Sequence, residues 1–230
     1  MSDTLEKIAK EIAVCKDCDL WRTRTCSVPG EGNPKTEIML IGEGPGKNED
    51  LQGRPFIGQA GKFLTELLAD AGLTREEVFI CNVVKCRPPL NRDPEPAELA
   101  ACNAYLDRQI AVIKPSIIIT LGRYSMAKFF EGVKISQVHG MMKRVGDTFV
   151  IPMFHPAAAL HQAALKPTIK EDFSKLPKLL AMARKELGLP AKQNLAQAIS
   201  LQHSGPDQPK QEKTSIERPD SLQSKQLKLL

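Results

Sequence analysis

Residues 36–46 read Thr-Glu-Ile-Met-Leu-Ile-Gly-Glu-Gly-Pro-Gly, an apolar run that breaks into three glycines. From Thr36 to Glu43 the run is short, β-branched in part and bounded by turn residues, so it reads as a buried strand. Val78–Lys85, Ser116–Leu121 and Phe149–His155 have the same character. Helical patterns lie between them. Phe63, Leu64, Leu67, Leu68 and Ala71 form a stripe that stops at Gly72, a C-terminal cap. Pro94–Lys114 carries Leu99, Cys102, Leu106, Ile110 and Ile113 on one face. Shorter helices are expected before Cys15 and after Gly122, and Phe173–Leu187 closes the domain. Strands alternating with helices predict an α/β fold around a central four-stranded, mainly parallel sheet covered on both faces. Ligands of such sheets bind beyond the carboxyl ends of the strands.

The strand ends are therefore where chemistry is sought. Gly42-Glu43-Gly44-Pro45-Gly46 allows close backbone approach to a ligand, although as a plain strand-to-helix turn it would be unremarkable. It is a poor phosphate loop: the chain has no GxxxxGKS/T, and GEGPG lacks the GxGxxG spacing. In Gly53-Arg54-Pro55-Phe56-Ile57-Gly58, Phe56 is either core or a surface for stacking on a planar ring. Asn82, inside an otherwise apolar strand, either bonds local backbone or reads the donor and acceptor edge of a base. His155 ends the fourth strand, where these candidates converge. His139, His161 and His203 lack that position and are assigned no catalytic part.

Four of the six cysteines form a divided set, Cys15-x2-Cys18 and then Cys86 and Cys102. Four thiolates suit tetrahedral zinc or an iron–sulfur cluster, and the spacing does not choose between them. Cys102 could equally be a buried core residue, since it lies on the apolar helix face. A disulfide framework is disfavoured, because nothing at the N-terminus reads as a secretory signal. Cys26 and Cys81 have no spaced partner and read as ordinary small residues.

Hydrophobic residues at 42% and charged residues at 26% suit a globular chain, and no apolar run approaches the ~20 residues that cross a bilayer. A formal charge of +5 permits a polyanionic partner without demanding one. The chain divides near residue 188, giving a domain over 1–187 and a polar tail over 188–230. That tail holds four prolines, seven glutamines and no aromatic residue, so it is expected to be disordered apart from a short helix around Gln193–Leu201.

The divided cysteines, GEGPG with its acidic sequel, GRPFIGQAGKFL, NVVKCRPPLNRDPEP and the HPAA terminus together resemble the type 4, iron–sulfur branch of the uracil-DNA glycosylases. The likeness runs from about Leu5 to Leu187. It implies a three-layer α/β/α fold, a 4Fe-4S cluster on Cys15, Cys18, Cys86 and Cys102, and cleavage of the uracil N-glycosidic bond in DNA by a monofunctional enzyme. It also implies that Gly42, Glu43 and Gly44 line the uracil pocket, Phe56 stacks on the base, Asn82 bonds its polar edge, and His155 faces its O2. Gly44 stands where the better-known branch has a water-orienting aspartate, so Glu43 or backbone carbonyls must take that part. Glu49 or Asp50 would form the barrier to thymine's methyl. Lys85, Arg87 and Arg92 could meet phosphates, and Leu160 could wedge into the duplex, with His161 where the family usually has arginine. The Lys85–Cys102 stretch has no histidine, which argues against the branch that attaches covalently to its product. A non-catalytic nucleobase-binding module and an electron-transfer protein are the alternatives. The ending Gln226-Leu227-Lys228-Leu229-Leu230 looks like the short peptide that docks on bacterial sliding clamps. A cytoplasmic, nucleoid-associated monomer is expected.

Overall fold

The structure, a computed structural model, describes residues 3–189. In chain order its first elements are α1 (Leu5–Val14), β1 (Glu31–Gly32), β2 (Ile38–Gly42), α2 (Lys47–Gln52), α3 (Gln59–Asp70), β3 (Phe79–Asn82) and α4 (Pro96–Ile113). They are followed by β4 (Ile117–Leu121), α5 (Arg123–Ala127), α6 (Ile135–Val138), β5 (Lys143–Val145), β6 (Thr148–Met153), α7 (Ala158–His161) and α8 (Leu165–Glu186). The sheet is six-stranded, in the order β1-β3-β2-β4-β6-β5. Its four central strands are parallel, and β1 and β5 pair antiparallel at the two edges.

The alternation of side chains along β2 builds the layers. Ile38 and Leu40 face Leu64, Leu67 and Leu68 of α3 and Phe173 and Leu176 of α8. Met39 and Ile41 face Leu106 and Ile113 of α4 and Met126 of α5 on the other side. With both faces covered, β2, β3 and β4 are buried at every residue, which is why their sequences read as unbroken apolar runs.

The expected four-stranded sheet is thus corrected to six strands. Two edge strands escaped notice because one has two residues, the other three, and neither has a fully buried residue. The β5–β6 hairpin did carry a signal: Gly146-Asp147 is a two-residue turn between Val145 and Thr148, and Gly146 adopts φ +61°. The four expected strands are shorter than their apolar runs, because Glu43, Val83–Lys85 and Phe154–His155 leave the ladder and turn toward the carboxyl edge. The last helix begins at Leu165 rather than Phe173, since Pro167 falls in its first turn, where an N–H has no helical partner to lose. Among the described residues no helix is long and apolar enough to cross a membrane. The segment 190–230, with the short helix expected at 193–201 and the terminal Gln226–Leu230 peptide, lies outside the described residues.

Candidate active site

Three strand ends converge as the topology requires. Gly42 closes β2 beside Asn82 at the end of β3, and His155 follows β6. They open on a cleft of about 380 Å³ whose walls include Glu43, Gly44, Glu49, Phe56, Asn82 and His155. Glycine at 42 is a steric requirement: a Cβ there would lie 2.6 Å from Phe56 Cζ and closer still to Asn82 Oδ1. Phe56 takes φ +52°, an uncommon conformation for a bulky residue, and the loop is clamped on both sides. Arg75 donates to Phe56 O (3.1 Å) and Pro55 O (2.9 Å), while Glu49 Oε1 accepts from the N–H of Ile57 (2.9 Å) and Gly58 (2.8 Å). The Phe56 ring lies against His155 with centroids 5.5 Å apart and planes inclined by 28°.

The polar groups of the cleft are in distinct states. Asn82 is 1% exposed, and its Oδ1 has no hydrogen-bond partner among the described residues. A buried carbonyl oxygen left so costs about 1–3 kcal/mol unless a ligand supplies a donor. His155 Nδ1 accepts the Ala157 N–H (3.1 Å), so the ring's own hydrogen is on Nε2. Enclosure pushes the His155 pKa down to about 4, against the opposing pull of the Glu49 carboxylate, and the ring is neutral near pH 7. Burial pushes the Glu43 carboxyl up to about 6; Asp93 adds to that rise and Arg123 opposes it. Arg123 is itself ion-paired with Asp93 at the rim.

Other expected site residues fare unequally. Lys85 is 1% exposed, with Nζ donating to Asn82 O (2.7 Å) and Gln109 Oε1 (2.6 Å). It cannot reach a phosphate, which corrects that expectation. The residue's place between an apolar strand and a buried cysteine was the available clue. Arg92 lines the cleft but grips the Glu98 carboxylate with both nitrogens (2.9 and 2.6 Å), and Arg87 Nε donates to Asn91 Oδ1 (2.7 Å). Glu49 faces the cleft, whereas Asp50 accepts the Thr25 N–H (2.9 Å) and is turned away. Leu160 is 52% exposed on α7. His161, set aside from the sequence, does line the cleft, as do Asn91 and Asp93. Leu90 was missed altogether: it stands 95% exposed in the Pro88–Asp93 rim loop, with φ +54°. A leucine flanked by Pro-Pro and Asn was the signal that could have found it.

All four spaced cysteines, Cys15, Cys18, Cys86 and Cys102, line one small pocket with Leu20, Tyr105 and Lys85. Cys15 follows α1 directly, and α1 is held to α4 by Arg108, which pairs with Asp3 (2.7 Å) and Glu11. Arg24 donates to Cys86 Sγ (3.1 Å) and to the carbonyls of Ile12 (3.3 Å) and Ala13 (2.6 Å). The Lys85 N–H donates to Cys102 Sγ (3.3 Å). Burial pushes the Cys102 thiol up to about 11 and raises Cys86 and Cys18 as well, so all three are thiols unless a cationic centre holds them as thiolates. Among the described residues no three ligating side chains close on a point that one metal ion could occupy. Cys81 is fully buried in the core and Cys26 lies apart from the set, in keeping with their reading as ordinary residues.

A model of the uracil DNA glycosylase superfamily matches residues 29–177. The type-4 uracil-DNA glycosylase of Sulfurisphaera tokodaii is 51% identical over 187 residues, covering 77% of this chain and 85% of its own. That of Saccharolobus solfataricus is 49% identical, covering 78% and 88%. That of Archaeoglobus fulgidus is 46% identical, covering 77% and 94%. The chain belongs to the uracil-DNA glycosylase superfamily and, within it, to the type-4 branch.

Proposed function

We propose that this cleft takes a uracil flipped from DNA and hydrolyses its N-glycosidic bond, leaving an abasic site for base excision repair. The observation that carries this reading is the Asn82 amide, buried at a strand end with an unpartnered oxygen beside a neutral histidine and a stacking ring. Neither an electron-transfer protein nor a plain core needs such an arrangement.

A base within a duplex cannot enter the cleft, so uracil must leave the stack at a cost of roughly a few kcal/mol, less for a U·G mismatch. Phe56 then stacks on the ring. Asn82 Oδ1 accepts from uracil N3–H while the amide nitrogen donates to O4, a pairing that cytosine cannot satisfy. Glu49, fixed by the Ile57 and Gly58 N–H groups, forms the wall that thymine's methyl would strike. As the C1′–N1 bond breaks, its electron pair passes to uracil and the sugar becomes oxocarbenium-like. His155 Nε2–H donates to O2 as charge gathers there, and such a donor typically contributes ~3 kcal/mol. Glu43, ionised above about pH 6, orients a water toward C1′ and takes its proton as the new C–O bond forms. Gly42 and Gly44 leave room for this approach.

Cys15, Cys18, Cys86 and Cys102 are assigned to a 4Fe-4S cluster. Four thiols around one pocket, with N–H groups already directed at two sulfurs, suit it. When bound, the cluster cross-links α1, the segment after β3 and α4, and supplies no chemistry to the bond cleavage. The Gln226, Leu227, Leu229 and Leu230 side chains are proposed to dock on a sliding clamp, tethering the enzyme near replicated DNA. Deletion of those last five residues with clamp binding unchanged would dispose of the docking.

Release of free uracil from a labelled oligonucleotide tests the activity. Binding without release by protein of full iron content would favour the non-catalytic nucleobase module instead.

A further inference from the structure

Lys85 is an unusual residue to bury: it is 1% exposed, and its ammonium meets two neutral oxygens. Among the described residues it pairs with no carboxylate. The sheet explains the first contact. β1 pairs Glu31 with Ile80 and Gly32 with Phe79, and Asn33 N–H donates to Val78 O (3.1 Å). The ladder ends there: Gly30 takes φ +121° and the Val28 N–H donates to Lys85 O (2.7 Å). Pro29, between them, has no N–H to give to the Asn82 carbonyl. Lys85 Nζ supplies that donor (2.7 Å). Gln109 completes the bridge, accepting from Nζ (2.6 Å) and donating Nε2 to Pro29 O (2.7 Å).

The second contact is with the cysteines. Lys85 lines their pocket, and its backbone N–H donates to Cys102 Sγ (3.3 Å). An ammonium buried on two neutral oxygens, with the Cys81 thiol also beside it, is costly, and a neighbouring centre of thiolates supplies the missing negative charge. We propose that Lys85 is a positioning residue through which the four-cysteine centre holds the Asn82 backbone, and with it the base-reading amide, in register with Gly42. The charge half of this rests on the cluster assignment. The tether to Asn82 does not.

The test uses four holoproteins: wild type, Lys85→Met, Asn82→Ala and the double variant. Each is measured for uracil release from a single-stranded oligonucleotide, iron and sulfide per chain, and cluster midpoint potential. Lys85→Met is expected to lower kcat/KM about ten-fold alone, the weight of one charge-assisted hydrogen bond, and less than about two-fold beside Asn82→Ala. Loss of the neighbouring cation is also expected to move the potential to more negative values, and Lys85→Arg to restore it. Additive losses in the cycle, or an unmoved potential, overturn the proposal. If Lys85→Met does not fold, Gln109→Glu gives the ammonium a carboxylate and is expected to lower the potential; an unchanged potential there overturns the link to the cysteines. Wild-type protein that releases uracil but holds no iron refutes the cluster assignment, and the Asn82 cycle then still decides the tether.

Discussion

Substituting Gly42 by alanine tests the site through a single methyl group. Gly42 does not have a positive φ, so alanine is permitted by the backbone and any effect comes from what the new Cβ meets. It meets the two residues proposed to hold the base. Phe56 Cζ must retreat from 2.6 Å to an ordinary 3.4 Å, about 0.8 Å, and Asn82 Oδ1 must move further. Displacements near 1 Å in a positioned site cost about a hundred-fold in rate. The expected result is therefore a kcat/KM on single-stranded uracil oligonucleotide lowered about a hundred-fold, with Tm lowered by roughly 2–12 °C, since overpacking typically costs roughly 1–3 kcal/mol. Steady-state kinetics beside a thermal melt separate the two effects. A folded Gly42→Ala protein that removes uracil at the wild-type rate would refute the placement of the base between Phe56 and Asn82.

The pH profile follows from the two shifted groups. With Glu43 at about 6 and its carboxylate the active form, kcat/KM is expected to climb as pH rises through 6, and Glu43→Gln to flatten that limb and lower the plateau by about 10²–10⁴-fold. His155 at about 4 in the folded state, against 6.5 ordinarily, means that the unfolded chain binds the proton first on acidification. Its contribution to stability is complete above 6.5 and is lost as pH falls toward 4, a slope that thermal melts of wild type against His155→Asn should show. Cys86→Ala is expected to abolish the brown colour and lower Tm; a colourless, zinc-containing wild type prepared without oxygen would refute the cluster. Leu90→Ala and Leu160→Ala separate the two exposed leucines beside the cleft: the one that wedges into DNA should slow cleavage of duplex uracil by about ten-fold while sparing single strands, as apolar wedges act on stacked steps.

The sheet was legible where burial on both faces forced apolar runs, as in Ile38–Ile41 and Ile117–Leu121, and illegible where an edge strand needed no apolar residue, as in Glu31–Gly32. Glu43, Asn82 and His155, which break the pattern of their surroundings at strand ends, and Phe56, set between glycines in a helix-to-helix loop, are the expected residues that the structure brings to one cleft. Lys85 was misjudged for a different reason, and Arg92 has a partner that the sequence did not show. Charge is visible in a sequence, but its partner is not, and here the partners are Glu98, six residues on, and Gln109, twenty-four residues on. Leu90 shows the converse: an apolar residue is assumed to be buried until the fold leaves it outside.

These two kinds of misfit belong to one economy of the fold. Parallel strands place all their carboxyl ends on one edge, so whatever leaves the sheet there has no ladder to satisfy its polar groups. Val83 and Val84 recover theirs by donating to Gly42 O (3.0 Å) and Glu43 O (3.1 Å), and the Asn82 carbonyl recovers its own from Lys85. The Asn82 side-chain oxygen is left over. A site in which one buried amide oxygen stays unpaired among the described residues is set to take a ligand that brings a donor, and uracil N3–H is such a donor. Thymine presents the same N–H, so the amide cannot exclude it. That discrimination falls to the wall proposed for Glu49, whose carboxylate accepts from the N–H groups of Ile57 and Gly58.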